Sequence, residues 1–536
     1  MGGVAEVEGI GSRSARILYP LFVGQGFGVV FTALTFVIVA RLLGPSAYGV
    51  YTLAFGFSAL INGFFAFGVG AYFSTVLARL AYKNDSEGIL GALSSGYAIA
   101  GTVGVLLTLF GIGISGYVAG VYSSVGISPL VLVVAAGTIA FSVLNTLAIS
   151  ALIGLSRTGL ASIVNVLVDI IQLTLSVALT LQFGVLGAVA AMMIGYFIGA
   201  IIGAYLVFRV LVKSFNFRIY IPTLTEIREV FKIVWPLAAT NFLNTGMQNF
   251  SILFLGLYVS TAALGNYGAA SKGLALLAMI YGAFASGLLP IFVTAKAMEI
   301  GDGINSTYNK IIHFALIPML PIMIYVGVMA APGLSLFVGS KFSTAPLFLT
   351  LIAIGSMIGL FGTYINELLI SAGHTMSVMR VNFISAVFQL IFMIALVPQF
   401  QVIGAIFTIF FIGNIIEAVF FARDAHTLFG IRLEFKKMVL LYFANLVLGA
   451  ILLLIYLTSN NLLPLHLTTA KYIFELAAGI VFTMLIYPAL LIVFGAMSDK
   501  DIISMRNATN KLGRVSRVFD SFFNYSDYLY KTLMRT

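Results

Sequence analysis

One lysine, Lys272, stands inside an apolar run, 264–294, long enough to cross a bilayer. A charge at bilayer depth costs about 2.5–3.5 kcal/mol on insertion scales, so it faces a cavity or a partner. Two roles fit: a cationic anchor for an anionic group, or a structural lysine that is ion-paired or snorkels to the interface. The preceding run, 233–258, contains PLAATNFLNTGMQNFS. Its Asn241, Asn244, Thr245 and Gln248 recur at three- and four-residue steps, so they share one helix face. Amides both donate and accept hydrogen bonds, which suits a hydroxyl-rich ligand such as a sugar. The same stripe could equally glue helices together. Gln25 stands where Asn244 stands, 219 residues earlier. Arg41, at the outer end of the first apolar run, could meet a phosphate or snorkel. The acids within apolar runs are Asp169, Glu367, Glu417 and Glu475. Asp169, Glu367 and Glu417 are the candidates for a coupling proton or sodium ion, and each could instead neutralise a base such as Lys272.

These residues need elements that hold them in lipid. The chain has 536 residues, is 61% hydrophobic and 9% charged, and has a mean hydropathy of +1.09. No soluble core hides that much apolar surface, so the chain is expected to be an all-α polytopic membrane protein. There is no cysteine, which excludes disulfides, thiol catalysis and thiolate metal sites. The net charge of +10 is read as basic residues facing anionic lipid rather than nucleic acid. HExxH, a P-loop and a placeable nucleophile–base pair are lacking, so no enzymatic activity is expected, and no cofactor or metal beyond a coupling ion, H+ or Na+.

Apolar runs predict fourteen spans at 17–40, 49–76, 89–117, 129–152, 160–182, 184–208, 233–258, 264–294, 307–331, 345–370, 377–398, 402–422, 437–458 and 470–496. With the N-terminus inside, 24 of the 28 Lys and Arg fall inside, Arg41, Lys341 and Lys471 fall outside, and Lys272 lies within a span. A wrong count would scramble that asymmetry, because every later loop would change sides. Both termini are therefore expected in the cytoplasm, in a multi-pass protein of the cell membrane. GIGISG, 111–116, matches a dinucleotide fingerprint in letters only; it lies inside a span with no strand before it. Gly195, Gly199 and Gly203 share one helix face and predict close helix packing.

The chain also repeats itself. RLLGPSAYGVYTLAFGF, 41–57, is echoed by LGNYGAASKGLALLA, 264–278, where only the second copy carries the lysine. TGLASIVNVLVDIIQLTLSVALTLQFGVLGA, 158–188, aligns without gaps to 375–405 at an offset of 217, with Thr158, Asn165, Gln172 and Gln182 among the matches. Two six-span bundles follow, related by a pseudo-twofold along the membrane normal, with two C-terminal helices added. The predicted organisation is an N-terminal lobe, 1–210; a cytoplasmic linker, 211–232; a second lobe, 233–425; helices 13–14, 426–496; and a basic amphipathic cytoplasmic tail, 497–536. The tail is expected on anionic lipid or free. Rocking of the lobes would open a central cavity to each side in turn.

RLLGPSAYGVYTLA after a first span resembles the opening signature of the polysaccharide (Wzx-type, O-antigen) flippases, within the multidrug/oligosaccharidyl-lipid/polysaccharide exporter superfamily. The resemblance covers nearly the whole chain and includes the six-plus-six repeat and two extra helices. It implies movement of an isoprenoid-(di)phosphate-linked oligosaccharide from the cytoplasmic to the outer leaflet, for export of surface polysaccharide or glycoprotein glycan. Related lipid II flippases place basic residues on cavity-lining helices, which fits Lys272 and the stripe on the seventh span, although this chain has one such lysine and not a cluster. Glycan synthesis or polymerisation enzymes are the partners the resemblance implies. The alternative within the superfamily is a cation-coupled multidrug or small-molecule antiporter.

Overall fold

The computed structural model describes residues 2–63, 68, 70, 72–83, 85–214, 222–275, 303–462, 468–510 and 516–533. Among them the regular structure is helical, without strands. In chain order the helices are α1, Gly2–Gly63; α2, Ala78–Tyr82; α3, Ser86–Val121; α4, Pro129–Gly154; α5, Thr158–Ser214; and α6, Leu224–Gly256. There follow α7, residues 261–275; α8, Gly303–Val328; α9, Ala330–Phe337; α10, Ala345–Ser371; α11, Thr375–Ile406; and α12, Asn414–Phe429. The last are α13, Phe435–Leu462; α14, Thr468–Val493; α15, Asp499–Asn510; and α16, Ser516–Leu533. Nine described helical runs are long and apolar enough to cross a membrane, and the chain is a multi-pass membrane protein.

Three of those runs are broken at one residue each: Gly44, Gly184 and Gln401. On an unbroken helix residues 179 and 187 would stand about 12 Å apart. Instead, a Cβ at Gly187 would run into the carbonyl oxygen of Leu179, so α5 doubles back at Gly184. A Cβ at Gly404 would likewise run into the carbonyl of Leu396, so α11 doubles back at Gln401. Across Gly44, the rings of Phe36 and Tyr48 meet edge to face with centroids 6.1 Å apart. The breaks fall where the sequence places turns between spans 1 and 2, 5 and 6, and 11 and 12.

The offset of 217 recurs in atomic detail. Gly184 (φ 56, ψ −128) and Gln401 (φ 51, ψ −126) take one backbone conformation in two copies. Gln172 packs on Gly195, and its counterpart Gln389 packs on Gly413. The second glycine lies one residue further on, and the π-helical turn Phe407–Gly413 absorbs that residue. Gly199 and Gly203 pack against Val168 and Ala148, as a small-residue face does.

Two compact units emerge. The first comprises 1–268 and 390–405. Its core runs through α3, α4 and α5, where Ile89, Leu132, Ile139, Leu147 and Leu152 are fully buried. The outward face of α3 shows Leu106, Leu109 and Phe110, as lipid contact requires. The second unit comprises 269–389 and 406–536. Three tyrosines staple α13 and α14 to its core: Tyr442 donates to the Met357 carbonyl, Tyr487 to that of Ile317, and Tyr325 to that of Leu476, at 2.7, 2.7 and 2.9 Å. The tail carries the helices α15 and α16, and in α16 Phe523 and Ser526 are buried while Tyr525 donates to the Leu485 carbonyl of α14.

Gln401 holds a backbone region that glycine occupies without strain, at a cost of order 1–3 kcal/mol for other residues. Gln401→Gly is therefore expected to stabilise the detergent-solubilised protein by about 1 kcal/mol, read as a raised Tm. Gly184→Gln is expected to lower it. A lower Tm for Gln401→Gly would contradict the strain.

Candidate functional site

The expected anchor, Lys272, sits on α7. This helix starts where Ser260 caps it, the serine hydroxyl accepting from the Ala263 amide at 3.3 Å. Lys272 is half-buried. The next residue, Gly273, lies against α9 and α10: a Cβ there would stand 3.7 Å from Leu349 and 4.0 Å from Leu334. Lys272 belongs to the second unit, whereas Arg41, Gln25 and the α6 stripe belong to the first. Arg41 is exposed beside the Gly44 reversal, and Gln248 is exposed on α6. The side chains of Gln25, Asn241, Asn244 and Thr245 lie outside the described residues, so the stripe is placed by its helix alone.

The duplicated hinges are themselves in contact, inside the first unit. A Cβ at Gly49 would strike the backbone of Thr261, and one at Gly265 would strike the carbonyl of Pro45. Glycine is needed at both because two backbones meet there. The approach continues along the helices, with Gly268 against Thr52 and Gly256 against Leu53 and the Tyr122 ring. Tyr122 donates its hydroxyl to the Leu253 carbonyl at 2.7 Å. Burial pushes that phenol up to about 12, so it stays a donor. Gly49, Gly265 and Gly268 thus explain why the hinge is written twice: each copy lends the other a surface without side chains.

Asp169 and Glu417 lie one in each repeat, on the helix pairs that carry the duplicated glutamine. In the first unit Asp169 lies half-buried on α5, where a Cβ at Gly28 would stand 3.1 Å from its Oδ2. Gln172 donates to the Met192 carbonyl at 3.5 Å, and Tyr51 donates to the Met192 sulfur at 3.0 Å. Helix α1 therefore meets α5 at the carboxylate, and Tyr51 ties α1 to the arm after Gly184. In the second unit the acid comes from the partner helix: Glu417 on α12 accepts from the Ser385 hydroxyl of α11 at 3.0 Å, and Ser385 accepts from Gln389 at 2.8 Å. Ser385 is the counterpart of Val168, and Val168 touches Gly199 in the first copy. The same helix–helix contact is apolar in one copy and acidic in the other. Glu367 stands half-buried on α10, where the first copy has Ser150. Glu475 is buried on α14 and accepts from Ser459 at 3.3 Å.

Tyr51 and Ser385 were not singled out from sequence. Gln172 and Gln389 carried a signal, since they match in register, but their packing on glycine did not. Among the described residues no three His, Asp or Glu side chains gather as a metal site.

The sequence pattern of a family described as "Polysaccharide biosynthesis protein" matches residues 38–346. No curated protein sequence matches the chain. The solved structure of lipid II flippase MurJ in an inward closed conformation is similar at TM-score 0.66 and 16% identity, covering 89% of this chain and 99% of that one. An inward-facing multidrug resistance MATE family transporter of the MOP superfamily is similar at TM-score 0.60 and 16% identity, covering 74% and 94%. A MOP superfamily transporter from Pyrococcus furiosus is similar at TM-score 0.55 and 17% identity, covering 77% and 94%. At such identities the likeness establishes the fold, which is that of the MOP superfamily transporters.

The hinge contact can be tested chemically, because the chain has no cysteine of its own. A Cβ at residue 268 would stand 3.1 Å from the Thr52 Cβ, close to the Cβ separation of about 3.5–4.5 Å in disulfides. The pair Thr52→Cys with Gly268→Cys is expected to form a disulfide under mild oxidation in most molecules, read as a mobility shift after cleavage at an engineered site between them. Oxidation that leaves both thiols alkylatable would refute the packing.

Proposed function

The chain belongs to the polysaccharide biosynthesis protein family, and from that premise we propose that it flips an isoprenoid-(di)phosphate-linked oligosaccharide from the cytoplasmic to the outer leaflet. The observation that carries the proposal is the family match itself, whose residues 38–346 take in both hinges, Asp169, the α6 stripe and Lys272. The fold is that of transporters, not of an enzyme. In this reading the protein sits in the cell membrane with both termini cytoplasmic, and the two repeats rock to expose a central path alternately.

The headgroup is the costly part of such a substrate to move, because its phosphates must leave water while its polyisoprenyl tail stays in lipid. Lys272 is assigned as the cationic contact for the phosphate, with Arg41 meeting it at the outer surface. Asn241, Asn244, Thr245, Gln248 and Gln25 are assigned to the sugar hydroxyls, which amides match as both donors and acceptors. Asp169 and Glu417 supply coupling sites for H+ or Na+, one per repeat; Glu367 is the third candidate. Glycan synthesis and polymerisation enzymes are the expected partners. The half-buried acids favour one second reading, a cation-coupled small-molecule antiporter.

Translocation of a lipid-diphosphate-linked oligosaccharide in proteoliposomes tests the proposal. Wild type is expected to transport, and Lys272→Ala to transport at least about tenfold more slowly while folding normally, the loss of one charge-assisted contact. Asp169→Asn and Glu417→Gln are expected to remove any dependence on a proton or sodium gradient. The double variant Thr52→Cys with Gly268→Cys, once oxidised, is expected to arrest flipping, and reduction to restore it. A well-folded wild type that moves no lipid-linked oligosaccharide but exchanges a small cation for protons or sodium would replace the flippase reading by the antiporter.

A further inference from the structure

The two repeats fill one three-helix junction in opposite ways. In the first, a Cβ at Gly199 would run into Val168 of α5 and the Oδ1 of Asn145 on α4, so no side chain fits there. In the second, Gly362 on α10 stands for Asn145 and Ser385 for Val168, both at the offset of 217. Glu417 on α12 stands for Gly199, one residue further on, as Gly413 does for Gly195. The polar side chain has therefore changed helices: α4 supplies it in the first repeat and α12 in the second. A Cβ at Gly362 would lie 3.5 Å from the Ala418 nitrogen and 3.8 Å from the Glu417 carbonyl carbon. Gly362 thus lets α10 close on the backbone beside the acid and brings no side chain to it.

Glu417 is half-buried, and its Oε1 accepts from the Ser385 hydroxyl at 3.0 Å. The Ser385 oxygen accepts in turn from Gln389 Nε2 at 2.8 Å. The same hydroxyl lies 3.5 Å from the carbonyl of Gly413, the last residue of the π-helical turn. Ser385 thus has two acceptors for its one hydrogen, and one of them is an acid. The charged groups on the helices packed against Glu417 lie away from it. Glu367 on α10 comes five residues, more than one helical turn, after Gly362. Arg380 on α11 pairs at 2.7 Å with Asp424, about two turns further along α12.

We propose that Glu417 is a proton site, that Ser385 is the hydroxyl that serves both of its states, and that this donor set selects H+ over Na+. With Glu417 ionised, Ser385 donates to it. A proton added to the carboxylate gives Glu417 an O–H of its own, which donates to the second lone pair of the Ser385 oxygen. The Ser385 hydrogen then turns to the Gly413 carbonyl, and Gln389 keeps its bond throughout. The serine and the acid are paired in either state, so the proton enters and leaves without stranding them in the membrane. A hard cation needs several oxygen lone pairs directed at it together. Here Ser385 points a hydrogen at the carboxylate and Gln389 points one at Ser385, which opposes a metal ion. The inference deepens the transporter reading and rests on it for what the proton drives; the site itself does not.

The test is a pH titration of the full chain in detergent, read by difference infrared spectroscopy at the carbonyl stretch of protonated carboxyl groups. Subtracting Glu417→Gln, which keeps an acceptor for Ser385, is expected to isolate one carboxyl that titrates in the wild type. Ser385→Ala removes a donor from the ionised form and is expected to raise the midpoint by about one pH unit, roughly a tenfold gain in proton affinity. Ser385→Thr keeps the hydroxyl and is expected to stay within about twofold of the wild-type affinity. Replacing K+ by Na+ at constant ionic strength is expected to leave the midpoint in place. A midpoint lowered by Na+ overturns the selectivity, and an unmoved midpoint in Ser385→Ala overturns the role of Ser385. A spectrum that loses no carboxyl in Glu417→Gln overturns the proton site. None of these readouts needs a cargo, so failure of the site and failure of the flippase reading are told apart.

Discussion

A chain dissolved in hydrocarbon must bond its own backbone, and everything in this protein follows from that constraint. It permits helices and penalises loops, so the turns within the membrane-spanning runs shrink to single residues. Gly44, Gly184 and Gln401 each reverse a helix in one left-handed step. Backbones pressed that close leave no room for side chains, which is why Gly187 and Gly404 stand against the carbonyls of Leu179 and Leu396. The same requirement appears between helices. Tyr122, Tyr325, Tyr442 and Tyr487 all spend their hydroxyls on carbonyls of neighbouring helices, a polar adhesive in a medium that offers no hydrophobic drive for helix association.

The repeat shows how one packing scheme is loaded with different chemistry. Both copies press a glutamine on a glycine and keep the same helix pair, but they draw their carboxylates from opposite partners, Asp169 from the first helix of its pair and Glu417 from the second. The π turn at Phe407–Gly413 lets the second copy insert a residue without losing the contact; it rotates the rest of α12 and brings Glu417 to Ser385. Divergence therefore concentrates in polar residues, while the glycines and the reversals stay in register. The lysine of the second hinge belongs to this pattern, since its counterpart in the first is the fully buried Leu53.

The two acids also differ in surroundings. Asp169 stands half-buried on α5 against Gly28 of α1, whereas Glu417 accepts a hydrogen bond from Ser385 of the helix it packs on. The added helices α13 and α14 take no part in either; their tyrosines bind them to carbonyls of the second unit.

Period and charge are local properties, and they sufficed for the class of fold: apolar runs mark helices, and Lys and Arg in the loops mark sides. The register of Asn165 with Asn382 and of Gln172 with Gln389 was visible because polar residues seldom coincide by chance in an apolar chain. The breaks at Gly184 and Gln401 were both legible as short turns between predicted spans. The sequence alone also singled out Lys272 and the acids, because a charge in lipid is conspicuous wherever it lies. It could not say what each charge meets. That Gly49 touches Thr261, that Tyr51 reaches Met192, and that Glu417 accepts from Ser385 were decided only by the tertiary structure. The physical reason is that such contacts join residues far apart in the chain, and their energies depend on ångström separations that no local pattern encodes.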